Sequence, residues 1–208
     1  ILKIKKEAIP PYVRISRLVR DVPATSIVAG PKISNLRQLI VPESLCRCIR
    51  CREVRADYKI NEKILLDRID YAASDGQEIF LQFINSSSPF SGLPTGKVGR
   101  GARGEGKKLF ALLRLRIPSN QNHFISALRN SALIREVHTY GQLTQIAKYD
   151  KKSPQHFGFG KKLMMEAEKI AKKEFKLKKI AVISGIGARG YYRKLGYTLK
   201  DTYMVKYL

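Results

Sequence analysis

Acidic side chains are scarce in this chain of 208 residues: 17 aspartates and glutamates face 40 lysines and arginines, a net charge of +23. That imbalance exceeds what solubility needs and points to a polyanionic partner. It excludes the acidic surface of proteins adapted to high internal salt, and the matching glutamate that accompanies thermophilic lysine enrichment is missing. Long hydrophobic runs are also lacking. No apolar stretch approaches the roughly 20 residues of a membrane span, and the first charged residues are scattered among single apolar ones, unlike a secretory signal. With no span and no lipidation signal, nucleic acid fits the charge better than a membrane surface. Cysteine is limited to three residues, Cys46, Cys48 and Cys51. An odd, crowded set is no disulfide framework and implies a reducing, cytoplasmic setting. Apolar residues still make up 44% of the chain, enough for one good core with an appendage or for two small domains.

The most informative stretch is Gln155-His156-Phe157-Gly158-Phe159-Gly160. Two glycines end a loop there, and beyond them Leu163, Ala167, Ile170, Ala171 and Phe175 recur at helical spacing. Glycine permits close backbone approach. A helix start presents unpaired N–H groups at the positive end of its dipole, so the pair makes an anion cradle suited to a pyrophosphate. The helix is itself basic: Lys161 to Lys179 holds eight lysines against Glu166, Glu168 and Glu174, a net of +5. Next come the β-branched run Lys179 to Ser184, ending at Gly185 and Gly187, and then Tyr191-Tyr192-Arg193-Lys194-Leu195-Gly196-Tyr197.

A Q-x-x-G-x-G pattern on strand, loop and helix, followed by Y-Y-R-K-x-G-Y, resembles the Gcn5-related N-acetyltransferases. The resemblance implies an α/β fold with a mixed central sheet flanked by helices, and a coenzyme-A site at the glycines. It also implies a tyrosine near the coenzyme sulfur, where a phenol can give a proton to a departing thiolate at neutral pH. The competing reading makes Tyr191 and Tyr192 half-buried packing residues.

The rest of the chain surrounds that centre. Residues 1–35 carry seven basic residues, among them Arg14, Arg17 and Arg20, against Glu7 and Asp21, a net of +5. Tyr12 to Leu18 alternates like a strand with a basic side, able to track phosphates or to serve as a charged edge. Asn35 to Ile40 starts like a short helix with an Asn cap. The C-x-C-x-x-C spacing of Cys46, Cys48 and Cys51 gathers three thiols around a point, three of the four ligands of a tetrahedral zinc. His123, His138, Asp57 or a residue outside the chain would supply the fourth. An iron–sulfur cluster would want a fourth cysteine, and none exists.

Asn61 to Ser74 reads as a helix capped by Asn61, with Ile64, Leu65, Ile69 and Ala72 on one face. Asp75-Gly76 turns the chain into a strand over Glu78 to Ile84, and a second strand spans Leu109 to Ile117. The connection Ser86 to Lys108 is rich in Ser, Gly and Pro, with five basic residues against Glu105. It reads as a mobile loop able to touch RNA. Ala132 to Gly141 holds the central strand, Ile134 to Tyr140, which in the acetyltransferase fold splays from its neighbour to receive the pantetheine arm. Glu136 or His138 on it is a candidate general base or a fixed polar residue beside the cleft.

A closer resemblance emerges from Arg20-Asp21-Val22-Pro23, Asn35-Leu36-Arg37, Cys51-Arg52-Glu53-Val54, Leu112 to Arg116, Arg135 to Gly141, Gln155 to Gly160, Lys179 to Gly185, Tyr191 to Tyr197 and Tyr203 to Lys206. Together they are similar to the C-terminal half of the Elongator catalytic-subunit family, the archaeal tRNA uridine(34) acetyltransferases. That resemblance implies a tRNA-binding acyltransferase in which acetyl-coenzyme A and radical chemistry build a carboxymethyl group at carbon 5 of the wobble uridine. It implies that Glu136, Val137, His138 and Thr139, with Gln155, His156, Phe157, Gly158, Phe159, Gly160 and Lys161, line the coenzyme. Tyr192, with Tyr191, would stand near the thioester. Cys46, Cys48 and Cys51 would hold zinc at a domain junction, and Arg14, Arg17, Arg20, Lys161 and Lys162 would face tRNA.

The chain begins at Ile1 and lacks a C-x-x-x-C-x-x-C motif. The iron–sulfur cluster and S-adenosylmethionine would therefore belong to a radical domain or protein outside it. The expected division is a basic remnant of that domain with the cysteines over 1–56, and an acetyltransferase domain over 57–208. Gly190 stands where the family often has asparagine, and the 86–108 loop is unusually long. Two other readings remain: a histone-type lysine acetyltransferase, disfavoured because like charges repel, and a non-catalytic RNA-binding zinc module. Binding to tRNA should weaken steeply between about 50 and 200 mM salt. Anisotropy titrations check this, and a flat salt dependence would contradict phosphate tracking.

Overall fold

Apolar side chains that alternate or run together through the chain pair into one seven-stranded mixed sheet. The computed structural model describes residues 2–16, 23–30, 32, 46–54, 63–85, 107–141 and 158–208. Strands β1 (Ile64–Ala72), β2 (Gly76–Asn85), β3 (Leu109–Pro118) and β4 (Ala132–Thr139) precede helix α3 (Phe159–Lys173). Strand β5 (Lys179–Ile183), helix α4 (Arg189–Lys194), β6 (Thr198–Lys200) and β7 (Tyr203–Tyr207) follow it. Two short helices, α1 (Leu2–Glu7) and α2 (Ile49–Arg52), belong to the N-terminal segment. The sheet order is β1-β2-β3-β4-β5-β7-β6. Its one parallel pair, β4 with β5, is joined across α3.

The expected helix over 61–74 is replaced by β1. From Asp67 onward the side chains alternate, with Asp67, Ile69 and Tyr71 partly buried and Arg68, Asp70 and Ala72 exposed. Every residue of β1 finds a register partner on β2. The hairpin turns on Ser74 and Asp75, both at positive φ (45° and 55°), with the Ala73 N–H donating to the Gly76 carbonyl at 3.0 Å. That is the I′ geometry matching strand twist. Ladder pairing and a tight turn outweigh a weak helical preference. The strands expected at 78–84, 109–117 and 134–140 are present as β2, β3 and β4.

Helix α3 lays Leu163, Met164, Ala167, Ile170 and Ala171, all buried, on one face of the sheet. Phe159 at its start packs against Phe83 (centroids 4.6 Å) and edge-on to Phe110 (6.3 Å). The opposite face mixes Glu78, Gln82, Arg114 and Arg116 with the buried Phe80 and Leu112, and receives the N-terminal segment. Tyr12 stacks on Tyr71 at 3.8 Å, and Arg114 donates to the Tyr12 carbonyl at 2.6 Å. Ile49 and Val54 enter the main core, and the Val54 N–H donates to the Leu109 carbonyl at 2.9 Å. Residues 12–16 form no strand, contrary to the alternation; Val13 instead accepts a hydrogen bond from Ile49 N–H at 2.9 Å. The helix expected at 35–40 and most of the 86–108 loop lie outside the described residues. No described helix is long and apolar enough to cross a membrane.

Gly76 opens β2 where an added Cβ would stand 2.8 Å from the Ile117 carbonyl oxygen. Gly76→Ala is expected to destabilise the fold by about 1–3 kcal/mol through overpacking. Urea unfolding measures it, and an unchanged midpoint would contradict the register described.

Candidate functional site

β4 and β5 run together for only three register pairs, Ala132 with Ile180, Leu133 with Ala181 and Ile134 with Val182. β4 then continues to Thr139 against β3, while β5 follows β7 as far as Ile183 opposite Tyr203. The parting coincides with a bulge: Arg114 pairs with Glu136 but Leu115 with Ile134, leaving Arg135 as the extra residue. A bulge bends its strand and raises its twist. Beyond it the β4 edge toward β5 has no ladder partner among the described residues. Backbone N–H and C=O groups on such an edge need a partner from elsewhere, and a ligand can supply it.

The start of α3 faces this opening. Gly158, in the left-handed conformation (φ 67°), is the N-cap, and no side-chain cap is present among the described residues. The first intrahelical bond runs from Lys162 N–H to the Gly158 carbonyl at 3.0 Å, so the earlier N–H groups of the turn have no acceptor within the helix. The first turn holds no acidic residue, and Lys161 and Lys162 are exposed beside it. An added Cβ at Gly160 would stand 3.1 Å from the Tyr191 hydroxyl oxygen and 3.6 Å from Thr139 Cγ2. The end of β4, the first turn of α3 and helix α4 therefore meet at one glycine. The close approach at Gly160, the helix start and the parted strands are compatible with a coenzyme carrying a pyrophosphate and an extended arm. Gln155, His156 and Phe157 lie outside the described residues.

The two tyrosines differ in setting. Tyr191 is exposed while Tyr192 is buried, its ring edge-on to Tyr191 (5.2 Å) and to Tyr197 (6.0 Å). Burial pushes both phenols above their ordinary pKa, with Tyr191 adding to the shift at Tyr192. Both hold their protons at neutral pH. From β3, the Arg114 Nε donates to Glu136 on β4 at 2.9 Å, and its Nη1 donates to the Tyr71 hydroxyl on β1 at 3.2 Å. His138 leans on the Tyr140 ring at 4.3 Å. Burial first, then Arg14, push its pKa down, which keeps the imidazole neutral near pH 7. Arg14 has internal partners, Glu53 at 3.4 Å and the Tyr140 hydroxyl. Arg17 and Arg20 lie outside the described residues.

The cysteine spacing does gather its thiols. The sulfurs of Cys46, Cys48 and Cys51 lie within 4.8 Å of one another, the first two residues buried. Hydrogen bonding from Cys51, set against burial, draws the Cys48 thiol down to about 4. A thiolate flanked by two thiols is a donor set for a soft divalent ion. Neither His123 nor His138 joins the group among the described residues. His123 instead stacks on Phe124 at 4.5 Å and accepts the Ile125 N–H at 3.0 Å. Asp57 lies outside the described residues. Tyr140, which ties Arg14 and Glu53 to the end of β4, was not foreseeable as a contact, since its partners lie far away in sequence.

No protein-family model matches the chain. It is 41% identical, over 98% of its length, to a protein of Dehalococcoides mccartyi named tRNA uridine(34) acetyltransferase, covering 42% of that protein. It is 39% identical, over 96% of its length, to Elongator complex protein 3 of Schizosaccharomyces pombe, covering 35% of it. A solved structure, the archaeal Methanocaldococcus infernus Elp3 with residues 1–46 deleted, matches 98% of the chain at a TM-score of 0.74 and 41% identity. The chain covers 46% of that structure and so spans less than half the length of each of these relatives.

Gly160→Arg fills the space between Tyr191 and Thr139, and should weaken binding of acetyl-coenzyme A by at least about a hundredfold, close to 3 kcal/mol. Calorimetry with the folded variant checks this. Retained affinity would place the ligand elsewhere.

Proposed function

This chain belongs to the family whose members are named tRNA uridine(34) acetyltransferase and Elongator complex protein 3, and on that premise we propose that it is the acetyl-coenzyme-A-handling part of a tRNA-modifying acyltransferase. The observation that carries the reading is the convergence at Gly160, where the Tyr191 hydroxyl and Thr139 crowd the first turn of α3. A sheet parted between β4 and β5, with a glycine-started helix across the gap, supports a Gcn5-related N-acetyltransferase fold for residues 57–208. Residues 1–56 would then be the basic linker, with the cysteine cluster, toward a radical S-adenosylmethionine domain or partner protein.

In this reading the first turn of α3, Phe159 to Lys161, holds the pyrophosphate of the coenzyme, aided by the helix dipole. Gln155, His156, Phe157 and Gly158 shape the approach. Backbone groups of Glu136, Val137, His138 and Thr139 orient the pantetheine arm. Acetyl-coenzyme A supplies the activated acetyl group. Tyr191 and Tyr192 keep protons on their phenol oxygens, and one of them serves as the donor for a thiolate leaving group. His138, held neutral, is the candidate acceptor of a proton, since Glu136 is bound to Arg114. The uridine carbon chemistry would draw on an iron–sulfur cluster and S-adenosylmethionine held outside residues 1–208, so these residues by themselves would transfer or release acetyl without completing a carboxymethyl group.

Cys46, Cys48 and Cys51 would hold a structural zinc, with the fourth ligand from outside the described residues. Lys161, Lys162, Arg17 and Arg20 are the proposed tRNA phosphate contacts. Arg14, the fifth, already binds Glu53 and Tyr140, so a phosphate would have to compete for it.

The test is release of free coenzyme A from acetyl-coenzyme A by the chain, with and without tRNA, alongside Tyr191→Phe and Tyr192→Phe. The expected result is release that depends on tRNA and falls about 10²- to 10⁴-fold in whichever variant removes the proton donor. No release with tRNA still bound would leave an RNA-binding zinc module in place of an enzyme. Unchanged release in both variants would remove the tyrosines from the chemistry.

A further inference from the structure

Helix α4 carries the tyrosine pair yet has little hold of its own on the protein. It is six residues long, and Tyr192 is its only buried residue. Its C-terminal end is closed by Gly196 in the left-handed conformation (φ 86°). The Gly196 N–H donates to the Arg193 carbonyl at 3.0 Å and the Tyr197 N–H to the Tyr192 carbonyl at 3.1 Å. This is the reciprocal pair of bonds of a glycine-terminated helix. It folds Tyr197 back so that its ring lies edge-on to Tyr192. The placement of Tyr191 thus depends on Tyr192, and that of Tyr192 on Tyr197.

Tyr197 is fastened by a carboxylate on α3. It is among the most deeply buried side chains, at 1% exposure, and its hydroxyl donates to Glu168 Oε1 at 2.9 Å. The second oxygen of Glu168 accepts from Lys206 Nζ on β7 at 2.7 Å. Lys206 in turn lies over the Tyr197 ring, 5.6 Å from its centroid. Both carboxylate oxygens are occupied, so the group has a single arrangement. The same helix that carries Glu168 carries Gly160 at its start, two turns earlier. One rigid element therefore sets both sides of the cleft.

We propose that Glu168 is a positioning residue for acetyl transfer: through Tyr197 and Tyr192 it fixes the Tyr191 hydroxyl relative to the first turn of α3. This rests on reading the cleft as an acetyl-transfer site. The coenzyme-binding turn of α3 does not depend on Glu168, because its donors belong to the backbone at the far end of the helix. Loss of the carboxylate should loosen the phenol and leave the anion cradle intact. A misplacement of about 1 Å is enough to cost up to a hundredfold in turnover.

The experiment measures kcat for tRNA-stimulated coenzyme-A release and, separately, the Kd for coenzyme A. It uses the full chain and its Glu168→Ala, Tyr197→Phe and doubly substituted forms, well below each unfolding midpoint. The expected result is a kcat about 10- to 100-fold lower in either single variant with Kd unchanged, and no further fall in the double variant, because the two groups act through one contact. Proportionate loss of turnover and binding with the folded fraction would reduce Glu168 to a stabilising residue and overturn the proposal, as would additive effects. Independently of turnover, ¹⁹F NMR of fluorotyrosine at position 191 reports the phenol directly. Broadening or splitting of its line in Glu168→Ala supports the proposal, and an unchanged line overturns it. If the unsubstituted chain releases no coenzyme A, the acetyl-transfer reading fails, and the ¹⁹F result still decides whether Glu168 positions Tyr191.

Discussion

The separation of β4 from β5 is the constraint on which the rest of the site depends. Three ladder pairs hold the strands together at their start, and the bulge at Arg135 turns β4 away immediately beyond Ile134. A continuous ladder would satisfy the backbone of β4 internally and leave nothing for a ligand to bind. Parting the strands leaves the β4 edge without a ladder partner among the described residues, and α3, which connects the two strands, starts beside the opening. In the proposed reading, protein backbone supplies both the groove and the anion cradle, with glycine at 158 and 160 keeping side chains out of the way. The interior sustains the opening because β2 and β3, buried on both faces for most of their length, stiffen the sheet beside it.

The face of the sheet that carries Arg114 attaches the N-terminal segment to the same region. Arg114 bridges Glu136, the Tyr71 hydroxyl and the Tyr12 carbonyl, and Arg14 links Glu53, two residues past Cys51, to Tyr140 at the end of β4. Ile49 and Val54 complete the attachment within the main core. The cysteine cluster is thereby built onto the sheet beside the cleft. An ion there would rigidify a segment that already touches the end of β4 through charge-assisted hydrogen bonds.

Much of this was legible in the sequence where a local pattern and a local cause coincide. The spacing of Leu163, Ala167, Ile170 and Ala171 gave the buried stripe of α3, and the C-x-C-x-x-C spacing gave three converging thiols. Residues Lys179 to Ile183 formed the expected strand. The misreading at Ile64 to Ala72 arose because Ile64, Leu65, Ile69 and Ala72 satisfy a helical template, while the deciding partner, β2, lies beyond a turn. The bulge at Arg135 leaves no compositional trace, since any residue serves as the extra one. The Glu168–Tyr197–Lys206 set joins residues 29 and 38 positions apart, and only the folded chain brings them together. Arg14 reads as a free cation in sequence and becomes an internal partner because Glu53 and Tyr140 fold against it.

The most direct test of the account is amide hydrogen exchange along β4 with and without coenzyme A. If the parted edge receives the pantetheine arm, the amides between Glu136 and Thr139 that face β5 should exchange more slowly once the coenzyme binds, while those paired with β3 stay unchanged. Coenzyme binding that leaves every amide of that half-strand exchanging at its free rate would contradict the claim that the opening between β4 and β5 is the binding groove.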